Sequence, residues 1–328
     1  MLVGLTYDLK DEWKGRGYHD EEIAEMDSVV TIDAIEASLQ TLGLETLRIG
    51  SIFSLVEFLA SGKRCDLIFN ISEGLYGLLR ESQVPALLDA YQIPYVFSDS
   101  FTLAITLHKE LAKAKVRASH IPTAESVLIE TLSDLSGVHL PYPLFAKPVG
   151  GGTGMGITAQ SRVESEAELA AVCATLLSEY EQPVLVERYL AGREFTVGIT
   201  GSGEDAVPVG VMEIIVDETS DGGIYSYKSK QEYLEVTRYV KAEGEAKEAC
   251  QAVALASWRA LGCRDGGRVD LKMDREGVPY FLEVNPLAGL HPIDSDLPIL
   301  ARMHGLSYDD LIARIMASAF KRMGVCIS

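Results

Sequence analysis

Positive charge is scarce in this 328-residue chain. Twenty-nine lysines and arginines stand against forty-eight aspartates and glutamates, a formal charge of −19. That balance argues against nucleic acid or an anionic membrane surface as the main partner. Long apolar runs are missing too: stretches such as AVALASW at 252–258 fall far short of the ~20 residues a membrane span needs. Met1 leads straight into LVGLTY without a basic n-region or a signal h-region, which sets the expectation of a cytoplasmic protein. The five cysteines (65, 173, 250, 263 and 326) are odd in number, scattered and without a C-x-x-C pair, so reduced thiols are expected. Neither common phosphate loop, G-x-x-x-x-G-K-[ST] or G-x-G-x-x-G, can be read, and there is no internal repeat or low-complexity segment.

What is present is a hydrophobic content of 47%, enough for substantial cores, in a chain too long for a single ordinary one. Near the N-terminus LVGLTY (2–7), LETLRIG (44–50) and CDLIFNI (65–71) read as short buried strands, with a helix over 29–43 between the first two. A further helix (81–92) and a strand in IPYVFS follow. This alternation predicts a parallel α/β sheet for roughly residues 1–100, with binding loops at the strand C-termini. A helix near 102–117 comes next, then strands in ESVLIE, YPLFAKP and GITAQS. Ser165 opens another helix with a capping box to Glu168, and QPVLVERYL closes the unit. Beyond Arg193 the segments EFTVGIT, AVPVGVMEIIV, GGRVDLKMD and VPYFLEVNP predict one large antiparallel sheet, with helices over about 244–262 and from Ser307. Three α/β units in series result, with expected limits at 1–101, 102–186 and 187–328.

Three stretches carry chemistry. In FAKPVGGGTGMGIT (145–158) five glycines lie between Gly150 and Gly156, preceded by Lys147 rather than followed by a lysine. Lys147 ends a strand, Pro148 cannot continue its ladder, and the glycines can fold their amides over triphosphate oxygens as a flap. In RVDLKMDREGVPYFLEVNP (268–286) a hairpin can bring Asp270 alongside Glu283 and Asn285, which share a strand face. Two carboxylates and an amide carbonyl make an all-oxygen site suited to Mg²⁺ shared with phosphate. In VLVERYLAGREFTVGI (184–199) Glu187 ends one strand and Glu194 starts the next, an arrangement able to meet an adenine edge and ribose hydroxyls.

In this order the three segments resemble the ATP-grasp superfamily, most closely the D-alanine–D-alanine ligases, over nearly the whole chain and most strongly from Leu103 to Leu290. The resemblance implies an ATP-grasp fold: a Rossmann-like parallel α/β domain, then two α+β subdomains sandwiching ATP. It implies that Lys109 and Lys147 bind the ATP phosphates, with Gly152 and Thr153 in the flap. Glu187 and Leu190 take the adenine edge, Glu194 the ribose, and Leu282 lies beside the nucleotide. Lys230 is similar to the lysine of a mobile loop closing on the γ-phosphate. Asp270, Glu283 and Asn285 match ligands of two Mg²⁺ ions (Mn²⁺ as an alternative), with Glu283 bridging. Arg268 and the Gly289 N–H match the groups that hold the reacting carboxylate and its tetrahedral intermediate. The implied reaction joins a carboxylate to an amine through an acyl phosphate, releasing ADP and phosphate. Small-molecule substrates and a homodimer through the N-terminal domain follow. Two alternatives stay open: D-alanyl-D-alanine synthesis for the cell wall (peptidoglycan), and a non-catalytic nucleotide-binding protein.

The chain departs from the family's pattern where substrates bind. In place of a G-G-x-S-x-E loop it has TYDLKDEWKGRGYHDEEIAEMDS, which puts either Glu25 or Asp27 near the first amino group. Gln231 stands where many ligases have tyrosine, and Thr153 where they have serine. After Asn285 it reads PLAGLHPIDSDLP, so Asp294 and Asp296 flank Ser295 and His291 lies close by. Two acids there predict a second substrate that is cationic or lacks an accessible carboxylate, unless both aspartates face solvent and cap the next helix.

Overall fold

The computed structural model describes residues 1–20, 22–152, 154–216 and 237–325. Its first sheet has three parallel strands in the order β2-β1-β3: β1 (Leu2–Thr6), β2 (Glu45–Gly50) and β3 (Leu67–Asn70). Around it lie helices α1 (Lys10–Lys14), α2 (Val29–Thr41), α3 (Ile52–Ala60) and α4 (Gln83–Ala90). The IPYVFS stretch forms only one parallel bridge, Ile68 to Tyr95, rather than the expected strand. Phe97 holds a positive φ of 77°, which turns the chain away from the sheet edge.

The helix expected near 102–117 is two: α5 (Ser100–Leu107) and α6 (Lys109–Ala118). His108 leaves the helical region, at φ −90° and ψ 97°, and its Nδ1 accepts the N–H of Leu111, capping α6. Ala112 and Val116 of α6 pack with Trp258, Phe281 and Val284, so this helix lies under the C-terminal sheet.

A four-stranded antiparallel sheet, order β4-β7-β5-β6, follows: β4 (Ser126–Ile129), β5 (Leu144–Pro148), β6 (Arg162–Val163) and β7 (Val184–Arg188), backed by α7 (Glu166–Tyr180). The strand expected in GITAQS lies further on. Ala159–Ser161 is a 3₁₀ turn, and pairing with β5 resumes only at Arg162 and Val163. Thr158 and Ser161 exchange side chain–backbone bonds that favour the turn over the ladder. At α7 only half of the capping box forms: Ser165 accepts from Glu168 N–H, whereas the Glu168 carboxylate takes the N–H of Glu164.

The last sheet has the order β10-β9-β8-β11-β12, with β8 (Glu194–Thr200), β9 (Val207–Val216), β10 (Thr237–Lys241), β11 (Gly266–Met273) and β12 (Pro279–Asn285), every pairing antiparallel. Helix α8 (Gly244–Leu261) covers one face through Trp258; α9 (Asp296–Met303) and α10 (Tyr308–Met323) join the other side to the first sheet. That junction is a shared core in which Val3, Leu5 and Phe69 meet Met212, Ile312 and Met316. The buried Asp265 ties it further, accepting from Phe97 N–H and Arg322. Ser307 and Asp310 form the expected capping box at α10. No described helix is long and apolar enough to cross a membrane, and the four described cysteines are buried free thiols.

Candidate functional site

The β11–β12 hairpin sets the centre of the site. Its register places Arg268 opposite Asn285 and Asp270 opposite Glu283, so all four side chains leave one face of the sheet. On the far side of β11, Thr196 of β8 faces Asp270 and donates its hydroxyl at 2.8 Å. Asn285 Nδ2 donates to the other Asp270 oxygen at 3.1 Å, which Arg268 also engages. Burial opposes charge on Arg268, yet Asp270, Asp296 and Glu283 together hold it firmly in the charged form. Gly267 is required by close approach: a Cβ there would lie 2.5 Å from Asn285 O and 2.8 Å from the Trp258 ring.

Lys109 links this hairpin to the glycine run. Its N–H bonds Val149 O at 3.0 Å, its ammonium bonds Gly151 O, and it stands 3.6 Å from Glu283. Gly151, at φ 95°, and Gly156, at φ 69°, give the run turns that other residues rarely adopt. Lys147 feels the charge of Glu283 as well, but its direct partner is another carboxylate. It pairs with Glu187 at 2.8 Å, and the second Glu187 oxygen meets Lys113 at 2.7 Å. Burial disfavours ionisation of Glu187, but these two lysines outweigh it and hold its pKa at about 2. Burial also pushes Lys113 below the ordinary lysine range, while Glu187 keeps Lys147 above it. The Glu187 carboxylate, expected at an adenine edge, is thus committed to two lysines.

Lys147, Glu187, Leu190, Glu194 and Leu282 line one open cavity with Phe145, Ile157 and Ile214 as apolar walls. Glu194 lies opposite Lys272 in the sheet and pairs with it at 2.8 Å. A second open cavity is bounded by Arg268, Asn285, Gly289, Asp296 and, from the N-terminal part, Glu25 and Asp27. The two cavities share Lys109, Gly151, Gly152 and Glu283. Gly289 backs directly onto Ser295, whose hydroxyl would lie 2.8 Å from any Cβ there.

Both acids considered for the first amino group reach the second cavity. Glu25 is engaged by Arg80 and packs against Gly152. Burial raises Asp27 to about 7. Glu73 and Glu81 stand near Glu25, with Glu81 likewise raised by burial to about 7. Of the two aspartates around Ser295, Asp294 is exposed (56%), as expected of a solvent-facing residue, and its N–H donates to His291 Nδ1 at 3.2 Å. Asp296 is not: its side chain is 12% exposed, accepts from Tyr239 OH at 3.0 Å and lies 3.8 Å from Arg268. Thr153, Lys230 and Gln231 lie outside the described residues.

Lys113 and Lys272 escaped the sequence reading, although both carry a signal. Lys113 is four residues from Lys109 on one helix, and Lys272 two from Asp270 on one strand, so each repeats a neighbour's direction. Asp270, Glu283 and Asn285 put oxygen-bearing side chains and no soft donor on one sheet face, a set that suits a hard divalent cation shared with phosphate.

The family model described as D-ala D-ala ligase C-terminus matches residues 120–317. The chain is 33% identical over 262 residues to a D-alanine–D-alanine ligase of Parvibaculum lavamentivorans, covering 77% of this chain and 80% of that one. It is 30% identical over 303 residues to an uncharacterized protein of Sinorhizobium fredii, covering 88% and 87%. A crystal structure of D-alanine–D-alanine ligase from Bacillus anthracis complexed with ATP has the same fold, with a TM-score of 0.72, 23% identity and 99% of both chains covered. So does the VanG D-Ala:D-Ser ligase from Enterococcus faecalis, with a TM-score of 0.74, 20% identity and 97% and 99% covered.

Proposed function

This chain belongs to the D-ala D-ala ligase family, and from that premise we propose that it joins a small amino acid or carboxylate to an amine at the junction of its two cavities. It is an ATP-dependent carbon–nitrogen ligase of ATP-grasp fold. The observation that carries the site assignment is the shared wall: Lys109, Gly151, Gly152 and Glu283 border both cavities, so a γ-phosphate there would face a carboxylate in the second.

A carboxylate is a poor electrophile, and meeting a phosphate adds repulsion that local cations must offset. Lys109 supplies charge at the junction; the Lys113–Glu187–Lys147 triad carries one net positive charge beside the nucleotide cavity. Enzymes of this family use ATP with Mg²⁺, which Asp270, Glu283 and Asn285 would hold and which would neutralise phosphate charge. Arg268 stands where an oxyanion forms as the amine attacks the acyl carbon and phosphate leaves. The glycine run closes over the junction and excludes water from the acyl phosphate. Lys230 and Thr153 keep the roles that the resemblance implies.

D-alanyl-D-alanine synthesis remains the rival within the class. A purely nucleotide-binding protein is not favoured, since it leaves the second cavity and Arg268 without a task. Homodimerisation draws support from Val29, Phe53 and Val56, exposed on α2 and α3, and sedimentation tests it. The ligase proposal is tested by calorimetric titration with ATP and Mg²⁺, then by ADP and phosphate release across a panel of carboxylates and amines. Absence of nucleotide binding would overturn it.

A further inference from the structure

The second cavity is acidic where its amine must sit. Among the described lining residues beyond Gly289, Arg268 is the one permanent cation, and two carboxylates already face its Nη1: Asp270 and, at 3.8 Å, Asp296. Lys10 belongs to the opposite, N-terminal wall, where its charge acts on Asp27, and Lys109 is engaged at the junction by Gly151 O and Glu283. Asp296 is fixed rather than free to swing away. It starts α9, its carboxylate is mostly enclosed, and Tyr239 OH donates to it at 3.0 Å from the neighbouring sheet. A nucleophile whose carboxylate lay beside Asp296 would therefore meet a buried like charge, with no second cation beyond Gly289 among the described residues to compensate. A group with N–H donors meets the opposite situation: Asp296 accepts from it, and Arg268 stays available to the oxyanion.

Building on the ligase reading above, we propose that Asp296 selects the nucleophile, an amine bearing a second N–H donor group, ammonium or primary amide, where D-alanine bears its carboxylate. Asp294 takes no part, since it is exposed.

The test titrates 1,3-diaminopropane, D-alaninamide and D-alanine into the full chain saturated with ADP and Mg²⁺. The diamine and the amide bind at least tenfold more tightly than D-alanine. Asp296→Asn, which keeps the hydrogen bond from Tyr239, reduces that ratio at least tenfold, and Asp294→Asn changes it less than twofold. Equal or tighter binding of D-alanine overturns the proposal, as does failure of every amine to bind, a ratio indifferent to Asp296→Asn, or equal effects of the two variants. ADP binding is read in the same cell: its loss strikes the ligase reading, whereas its presence with D-alanine preferred strikes only this assignment.

Discussion

Glu187→Gln takes one negative charge from between two lysines that have almost no access to water. The Lys113 side chain is fully enclosed and that of Lys147 is 6% exposed, so the variant strands two buried cations. Two routes give the cost. A carboxyl with pKa about 2 in the fold, against an ordinary 4.5, holds about 3 kcal/mol of stability at neutral pH. Removing one partner of a buried ion pair costs about 3–5 kcal/mol. Thermal or urea unfolding followed by circular dichroism should therefore show a loss of about 3–5 kcal/mol at pH 7, about 5–10 °C in Tm. The sign of the pH dependence follows from the depressed pKa. The stabilisation is complete above the unfolded value near 4.5 and fades as pH falls through about 2, so the gap between wild type and variant narrows on acidification. Adding Lys113→Met to Glu187→Gln removes one stranded charge and restores at least about 1 kcal/mol. A loss below 1 kcal/mol, or a gap that stays constant from pH 7 to pH 3, would refute the argument that this triad is a desolvated unit.

Glu283→Gln should leave ATP affinity within a few-fold while lowering turnover by about 10²–10³, measured as ADP release with the true substrates, because the lost charge acts mainly on phosphoryl transfer. Gly267→Ala should cost about 1–3 kcal/mol, since its Cβ meets Asn285 O and the Trp258 ring; an unchanged melting temperature would show that the hairpin yields freely. Asp27, raised by burial to about 7, binds its proton more tightly folded than unfolded. Wild-type stability should accordingly fall between about pH 4 and 7 relative to Asp27→Asn and run parallel above, and parallel profiles throughout would contradict that environment.

Much of the site was legible because strand periodicity and register are local rules. Two residues of separation put Glu283 and Asn285 on one face, and a short turn at Asp274–Gly277 returned Asp270 beside them. The glycine run likewise announced a loop, and its Gly151 and Gly152 border both cavities. Three local misreadings share another cause. His108 broke a helix that amphipathic spacing made continuous, Thr158 and Ser161 spent their hydroxyls on a turn rather than a strand, and Phe97 turned IPYVFS off the sheet. In each, a side chain–backbone bond or a single backbone angle outweighed the apolar pattern.

Which charges meet across the fold was decided only in three dimensions. Sequence pattern alone offers the Glu187 carboxylate to any partner; the packing of α6 under the C-terminal sheet brings Lys113 to it and binds Lys147 on its other side. Asp294 and Asp296 are equivalent in sequence, two residues apart around one serine. The start of α9 turns the first to solvent and the second toward Arg268, because the helix fixes the direction of its first side chain against a sheet edge that carries Tyr239. Sequence thus determined the strand faces and the order of the binding segments, which depend on spacings of a few residues. Tertiary structure determined the ion pairs, because burial sets their strength and burial is a property of elements far apart in the chain.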